Sequence, residues 1–192
     1  MTHSQLVTAG WITTISAFIA IPLAYLSFRL EGQSDPTSIL IQSAMQVFGT
    51  ILFVAITLYL KKLLNSFFQF HDTNRLINMM IMANSVAGFF VVLSLTFPQL
   101  KETMSVAVII IVMFLGIVQM QFGFKLLKLQ SDLGGMLKPF CYSNIATGIC
   151  IASVVLILAG VVVSAISDLM LATIFFNIAK LIKAHEPNHI DA

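Results

Sequence analysis

The residues with the clearest chemical potential lie near the end of the chain, where His185, Glu186 and His189 are part of HEPNH. This stretch has the spacing of the HExxH zinc-protease motif, in which an unbroken helix places two histidines one turn apart and the glutamate activates a metal-bound water. Pro187 lies between the histidines. Proline within a helix removes a hydrogen bond and clashes with the preceding turn, at a cost of about 3 kcal/mol or more. We therefore predict that HEPNH is not a zinc-protease site.

Other kinds of catalytic or cofactor site have little support. All four histidines lie outside the apolar stretches, so a haem held between two membrane helices has no axial histidines. Cys141 and Cys150 are nine residues apart in one predicted helix, on opposite faces, and do not form a redox motif. We expect a protein that is not an enzyme and that holds no cofactor and no metal.

Composition indicates the surroundings of the chain. Hydrophobic residues make up 58% of it and charged residues 9%, whereas a soluble domain has roughly 25% charged residues. Such a chain cannot cover a water-exposed surface, so we predict an integral membrane protein. The net charge of +2 is too small to indicate nucleic-acid binding. The segment MTHSQLVTAG has no Lys or Arg, so we expect the N-terminus to be retained rather than cleaved as a signal peptide.

Apolar stretches of about 20 residues are long enough to cross a hydrocarbon core about 30 Å thick. They predict an all-α bundle of six transmembrane helices, built as three consecutive hairpins within a single membrane domain, residues 1–192. The predicted spans are approximately residues 8–28, 38–60, 76–97, 104–124, 140–163 and 166–183. The last two come from one long apolar stretch, which we divide by a tight turn between Gly160 and Ser167.

Charge placement supports the six-span prediction. Eight basic residues fall on one side of the membrane and two on the other, a strong positive-inside bias that places both termini in the cytoplasm. A bacterial inner membrane is the simplest location. The eight are Lys61, Lys62, Arg75, Lys125, Lys128, Lys138, Lys180 and Lys183, and the two are Arg29 and Lys101.

Aromatic and basic residues near the predicted inner surface are expected to anchor the bundle among the lipid headgroups. They are Trp11, Tyr59, Lys61, Lys62, Lys125 and Lys128. Small residues at helical spacing are expected to let helices pack closely, within the bundle or against another subunit. These ridges are Ser16, Ala20 and Ala24 on the first helix, and Gly148 and Ala152 on the fifth.

Polar residues within the predicted spans are the remaining candidates. Six amide side chains fall in the cytoplasmic half, where they could line a vestibule open to the cytoplasm or join helices through hydrogen bonds. They are Asn78, Asn84, Gln119, Gln121, Asn144 and Asn177. Asp168 has two interpretations. It caps the sixth helix if the last turn falls at Ser164–Ser167, which we favour, and it is a functional carboxylate if the turn falls at Gly160.

The absence of catalytic constellations, the short loops and the small-residue ridges favour a non-catalytic accessory or assembly subunit. Its partners would be the lipid bilayer and either another membrane protein or further copies of the same chain. The alternative is a small transporter or channel for a neutral or lipid-like solute, using the vestibule of amides. A cavity open to the inner side and lined by those amides would favour transport, and a solid helical block would favour the structural role.

Overall fold

Six α-helices follow one another in the computed structural model, which describes residues 1–30, 32–33 and 35–185. They are α1, His3–Leu30; α2, Pro36–Ser66; α3, Asn74–Thr96; α4, Lys101–Leu126; α5, Leu137–Ala152; and α6, Ile157–His185. Short 3₁₀ turns, Pro98–Leu100 and Leu133–Gly135, come before α4 and α5. No strand occurs in this described part of the chain, and the predicted all-α class is confirmed.

Five segments are long and apolar enough to cross a membrane. They are α1, α2, α3, the 3₁₀ turn together with α4, and residues 157–184 of α6. α5 has 16 residues, which rise about 24 Å at 1.5 Å per residue and fall short of a 30 Å hydrocarbon core. The protein is therefore a helical bundle in which several helices are long and apolar enough to span a membrane. One helix, α5, is shorter than the span predicted for it.

The helices form a closed ring. Each helix packs against its neighbours in the chain, and α1 packs against α6 to close the circle. Among the described residues, no two helices on opposite sides of the ring come into close backbone contact. A ring of this kind leaves a central space that side chains either fill or leave open.

α1 and α6 run in opposite directions, which defines the two ends of the bundle. Gly10 lies against the ring of Phe176, and Ser16 is hydrogen-bonded to Asp168. The first residues of α1 and the last residues of α6 thus lie at the same end, which we call the terminal end. The opposite end, where α1 ends and α6 begins, is called the far end.

Apolar side chains fill the ring at the terminal end. Leu63, Leu64 and Ile77 are fully buried there, and Phe122 and Phe175 are at most 1% exposed. The core continues through the start of α1, the end of α2 and the start of α5, with Leu6, Leu60, Leu126, Leu137 and Phe140. Close van der Waals packing holds helices together in a bilayer, and the buried side chains make this end the better packed half of the ring.

Glycines bring α4 and α5 into direct backbone contact. A Cβ atom added to Gly148 would lie 2.6 Å from the carbonyl oxygen of Gly116, and one added to Gly116 would lie 2.6 Å from the amide nitrogen of Ala152. Real Cβ atoms do not approach so closely, so the seam requires glycine at both positions. The predicted ridge of Gly148 and Ala152 therefore faces α4.

The turn between α5 and α6 comes earlier than predicted. It occupies residues 153–156, so the predicted spans 140–163 and 166–183 are corrected to Leu137–Ala152 and Ile157–His185. Ser153 makes the turn: its Oγ donates to the carbonyl of Cys150 at 2.8 Å and accepts from the N–H of Leu156 at 3.3 Å. Gly160 is instead a packing residue, since a Cβ there would lie 3.2 Å from the Cβ of Cys150.

This turn has the hydrogen bonding that a non-aqueous setting demands. Each backbone N–H from Ser153 to Ile157 has an acceptor within the hairpin, whereas an unsatisfied group in hydrocarbon costs several kcal/mol. Val155, at its tip, is 89% exposed.

The position of the turn along α4 shows how far the hairpin reaches. Ala152, just before the turn, lies beside Gly116 of α4. Gly116 is 15 residues, or about 22 Å, from Lys101, where α4 begins at the far end. The hairpin therefore ends well short of the far end of α4.

Candidate functional site

A cavity of about 470 Å³ occupies the ring on the far side of its packed core. All six helices contribute to its walls, and it reaches Ser27 of α1 and Ile157 of α6 at the far end. At about 30 Å³ per water molecule, this volume holds roughly fifteen waters. It falls within the usual range for small-molecule sites, about 300–1,000 Å³.

A series of hydrogen-bonded polar side chains lies at the base of the cavity. The Nε2 of Gln119 donates to Asn144 at 3.4 Å, and the Nδ2 of Asn144 donates to Ser167 at 3.0 Å. The hydroxyl of Ser16 donates to Asp168 at 3.1 Å. These five residues, which we call the polar layer, link α4, α5, α6 and α1. They all line the cavity, with the apolar core behind them.

Asp168 lies inside α6, eleven residues after the helix begins at Ile157. The favoured interpretation as a helix cap is therefore corrected: the carboxylate is about three turns from the start of the helix and faces the cavity. The hydrogen bond from Ser16 is the one polar contact that the described chain gives it. A carboxylate away from bulk water with no cation beside it is energetically expensive, and such residues commonly mark functional sites in membrane proteins.

Asn84 supplies a second unsatisfied group on the opposite wall. Its Oδ1 atom is buried and has no hydrogen-bond partner within the described chain, and the residue lines the cavity. Buried polar atoms are nearly always paired with protein or water. Asn84 therefore needs a donor that the described helices do not supply.

The other predicted amides lie elsewhere. Asn78 accepts a hydrogen bond from Lys61 at 2.8 Å near the terminal end, and Gln121 is exposed on α4. Asn177 packs beside Gly134 in the loop before α5. Three of the six predicted amides, Asn84, Gln119 and Asn144, thus come together at the cavity.

The sequence left two roles open for the amides, a vestibule facing the cytoplasm or hydrogen bonds between helices. At the terminal end, where such a vestibule would open, Leu63, Phe122 and Phe175 fill the ring. The open space lies on the far side of the polar layer instead. The reason is that long apolar side chains at the terminal ends of all six helices are buried inside the ring, which the depth of the amides alone does not reveal.

The small residues of α1 have two different faces. Ser16, Ala20 and Ala24, the predicted packing ridge, line the cavity. The buried face is formed by Ala9, Gly10, Thr13 and Ala17, and a Cβ on Gly10 would lie 2.7 Å from the ring of Phe176. The predicted ridge therefore makes a wall of small side chains rather than a helix contact.

Sequence reasoning missed several wall residues. Ser164 and Ser167 were assigned to a turn, but both lie on the cavity face of α6 with Asp168 and Leu171. Their spacing of three and four residues is the signal for one helix face. The sequence-based prediction of a turn at these residues concealed this helical spacing.

The predicted membrane anchors lie in the terminal half of their helices. Trp11 is 59% exposed and contacts Phe176 edge-on, with ring centroids 5.8 Å apart. Lys62 donates to Gln5 at 3.0 Å, and Lys125 donates to the carbonyl of Asp72 at 3.4 Å. Tyr59 is partly buried, Lys61 bonds to Asn78, and Lys128 is exposed.

The HEPNH prediction lies outside the described residues, apart from the backbone of His185. Within residues 1–30, 32–33 and 35–185, no three His, Cys, Asp or Glu side chains are placed to hold a metal ion.

The arrangement at the cavity suits binding by hydrogen bonds and one carboxylate. Comparison of the chain with protein-family models, curated proteins and solved structures finds no match.

Proposed function

We propose that the protein is a membrane carrier that binds a small solute in the far-side cavity. The observation that carries this proposal is the division of the ring into two halves: a cavity on one side of the polar layer and a dense apolar core on the other. A structural subunit has no need of such a space. A carrier needs a site that is open to one side and closed to the other.

The polar layer is the base at which a solute would stop. Transport then requires a second conformation, in which the helices part at the terminal end and close at the far end. The chemistry of the two halves favours such an exchange. The terminal core is held by apolar contacts between Leu and Phe side chains, which have no directional bonds to break.

The topology that we propose has six membrane helices, of which α5 is too short for a full crossing, and both termini in the cytoplasm. Its support is the eight-to-two distribution of basic residues and the antiparallel packing of α1 on α6. The cavity then opens away from the cytoplasm, and the membrane is most simply a bacterial inner membrane. Single cysteines at Thr2 and Ile190 should react with an impermeant thiol reagent from the same side. Reaction from opposite sides would contradict this topology.

Accessibility of the cavity tests the carrier proposal without knowledge of the solute. In a variant with both native cysteines replaced by alanine, Ser164→Cys places a thiol in the cavity wall. In oriented vesicles, a small impermeant thiol reagent should modify it quickly from the far side and slowly from the terminal side, since a carrier exposes its site to each side in turn. Ser85→Cys is the matched control: it lies on an exposed face of α3 that does not line the cavity, and it should stay unmodified.

Modification of Ser164→Cys from the far side alone would mean that the cavity is a binding recess rather than a transport path. Filling the cavity is a second test. A Cβ on Gly49 meets no atom within 4 Å, so Gly49→Leu should block reagent entry while the helix stays intact. Ala44→Leu adds a similar volume on an exposed face of the same helix and should leave entry unchanged.

An accessory or assembly subunit is the second proposal, favoured by one exposed surface. Because the α5–α6 hairpin ends early, the far part of α4 is left uncovered, with Val106, Ile109, Ile110 and Met113 all more than 40% exposed. Another membrane protein or a second copy could cover this surface. Native-membrane extraction that gives purely monomeric protein with no co-purifying partner would contradict this proposal.

A further inference from the structure

We propose that the solute carries a protonated amine, held by Asp168 at the polar layer, on an apolar body that fills the rest of the cavity. This inference deepens the proposed function and rests on the same cavity. It replaces the expected neutral solute, because the sequence-based preference treated Asp168 as a helix cap, whereas the structure places it in the cavity wall.

Charge selects a cation. Asp168 is the one ionisable side chain in the cavity walls, and no Lys, Arg or His of the described chain lines them. A solute with a negative charge would face the carboxylate with nothing to offset the repulsion. A cation would supply the counterion that the half-buried carboxylate lacks, and paired charges are far less costly in a low-dielectric setting than single ones.

Hydrogen-bonding capacity selects a donor. The NH₂ group of Asn144 is fully used, because it donates to the carbonyl of Phe140 at 2.9 Å and to Ser167 at 3.0 Å. The NH₂ groups of Gln119 and Gln46 donate to Asn144 and Thr50. Gln119 and Gln46 each keep a second N–H, whereas both N–H donors of Asn144, next to Ser167 in the polar layer, are engaged.

Two acceptors at the cavity have no donor from the described chain. The Oδ1 atom of Asn84 has no partner, and Ser16 bonds to one oxygen of Asp168, leaving the other without a donor from the described chain. Free acceptors beside a carboxylate fit a ligand that donates hydrogen bonds. A primary ammonium brings three N–H donors and a positive charge, whereas a hydroxyl brings one donor and no charge.

The rest of the cavity fits an apolar body. Above the polar layer the walls are made by Ala20, Leu23 and Ala24 of α1, Phe53 of α2 and Val161 of α6. Apolar walls with a few placed polar groups are the common form of a small-molecule site. The combination of a charged base and apolar walls selects an amphipathic amine over a fully hydrated cation.

Binding of phenethylammonium tests the proposal against two analogues of similar size. The protein is placed in phosphatidylcholine nanodiscs at pH 7 and titrated calorimetrically with phenethylamine, 2-phenylethanol and 3-phenylpropanoate. We expect the amine to bind at least tenfold more tightly than the alcohol, and the carboxylate to give no binding. Equal binding of amine and alcohol would overturn the proposal on wild-type protein alone, whatever the variants do.

The variant Asp168→Asn keeps the shape and removes the charge. It should weaken amine binding at least tenfold and leave alcohol binding within about twofold, whereas Asp35→Asn, an exposed carboxylate outside the cavity, should change neither. Unchanged amine affinity in Asp168→Asn would overturn the proposal. If this variant fails to fold, Asp168→Glu, which keeps the charge, is expected to retain amine selectivity, and a loss of that selectivity would count equally against the charge pairing.

The amine could belong to a free solute or to a lipid headgroup, and the same assay separates them. Phosphatidylethanolamine added to the nanodiscs should compete with phenethylammonium through Asp168 if a lipid headgroup enters the cavity. No competition would assign the site to a free amine.

Failure of this inference differs from failure of the carrier proposal. Two-sided modification of Ser164→Cys without amine selectivity would retain the carrier and remove the amine. Amine binding through Asp168 with modification from the far side alone would retain the site and remove transport.

Discussion

Glycine-to-alanine substitutions at three positions test the packing of the ring, because the same chemical change meets different surroundings. At Gly148 the new methyl group would lie 2.6 Å from the Gly116 carbonyl oxygen and 2.7 Å from the Met120 amide nitrogen. Both are backbone atoms, so α4 and α5 must separate. At Gly49 the methyl group meets nothing within 4 Å.

The expected effects therefore have opposite signs. Overpacking costs about 1–3 kcal/mol, while replacing glycine by alanine within a helix gains roughly 0.5–1 kcal/mol when nothing obstructs it. At about 2–4 °C per kcal/mol for a chain of this size, Gly148→Ala should lower Tm by several degrees. Gly49→Ala should raise Tm by roughly 1–4 °C on the same scale. Gly10→Ala should fall between them, since its methyl group meets the Phe176 ring, which can tilt aside.

The assay is thermal unfolding in detergent micelles, followed by the fluorescence of Trp11, the single tryptophan. The reasoning depends on the order of the three variants rather than on any one value. If Gly148→Ala and Gly49→Ala shifted Tm equally and in the same direction, the close α4–α5 seam and the open wall of α2 would both be refuted.

Three further predictions concern single residues. Hydrogen bonding by Ser38, through its side chain and its N–H, lowers the pKa of Asp35, the N-cap of α2, below its usual 3.8. The ionised carboxylate therefore stabilises the folded protein at pH values above 3.8, and this stabilisation is lost as the pH falls through the lowered pKa. Asp35→Ala should therefore reduce Tm at pH 7 but not at a pH well below 3.8. Val154 has a φ of 60°, which is costly for a β-branched residue, so Val154→Gly should raise the free energy of unfolding in urea by about 1 kcal/mol, and a decrease would contradict the turn geometry. Asn144→Leu removes three hydrogen bonds from the polar layer and should lower Tm more than Asn78→Leu at the surface, because it leaves partners unpaired away from water; equal effects would mean that the polar layer is not formed.

The existence of the helices could be predicted from the sequence because the bilayer imposes them: a backbone in hydrocarbon must satisfy its own hydrogen bonds. The division between α5 and α6 could not. Gly160 and Ser167 look like turn residues, but the turn is made by the side chain of Ser153 and by Val154 at positive φ. Val154 is not a turn former by type, and Ser153 is no better a turn residue than Ser164 or Ser167, so the local sequence favoured the wrong position.

The sequence predicted which types of residue form the site but not which of those residues face the cavity. Asn84, Gln119 and Asn144 were chosen for polarity within apolar helices, and they do line one cavity. Asn78 and Gln121 have the same character, but the rotation of their helices turns them to the surface. Rotation follows from which faces pack, and in a chain that is apolar on all sides no hydrophobic stripe reveals it.

The walls of the cavity indicate which kind of ligand it suits. Water that enters the cavity can satisfy Asn84 and Asp168 by hydrogen bonding. Water gains little beside Ala20, Leu23 and Phe53, where an apolar body is better accommodated. The walls therefore favour a ligand with one polar end and an apolar body, and the stabilisation by a bound amphipathic amine should exceed that by a hydrophilic cation of equal charge.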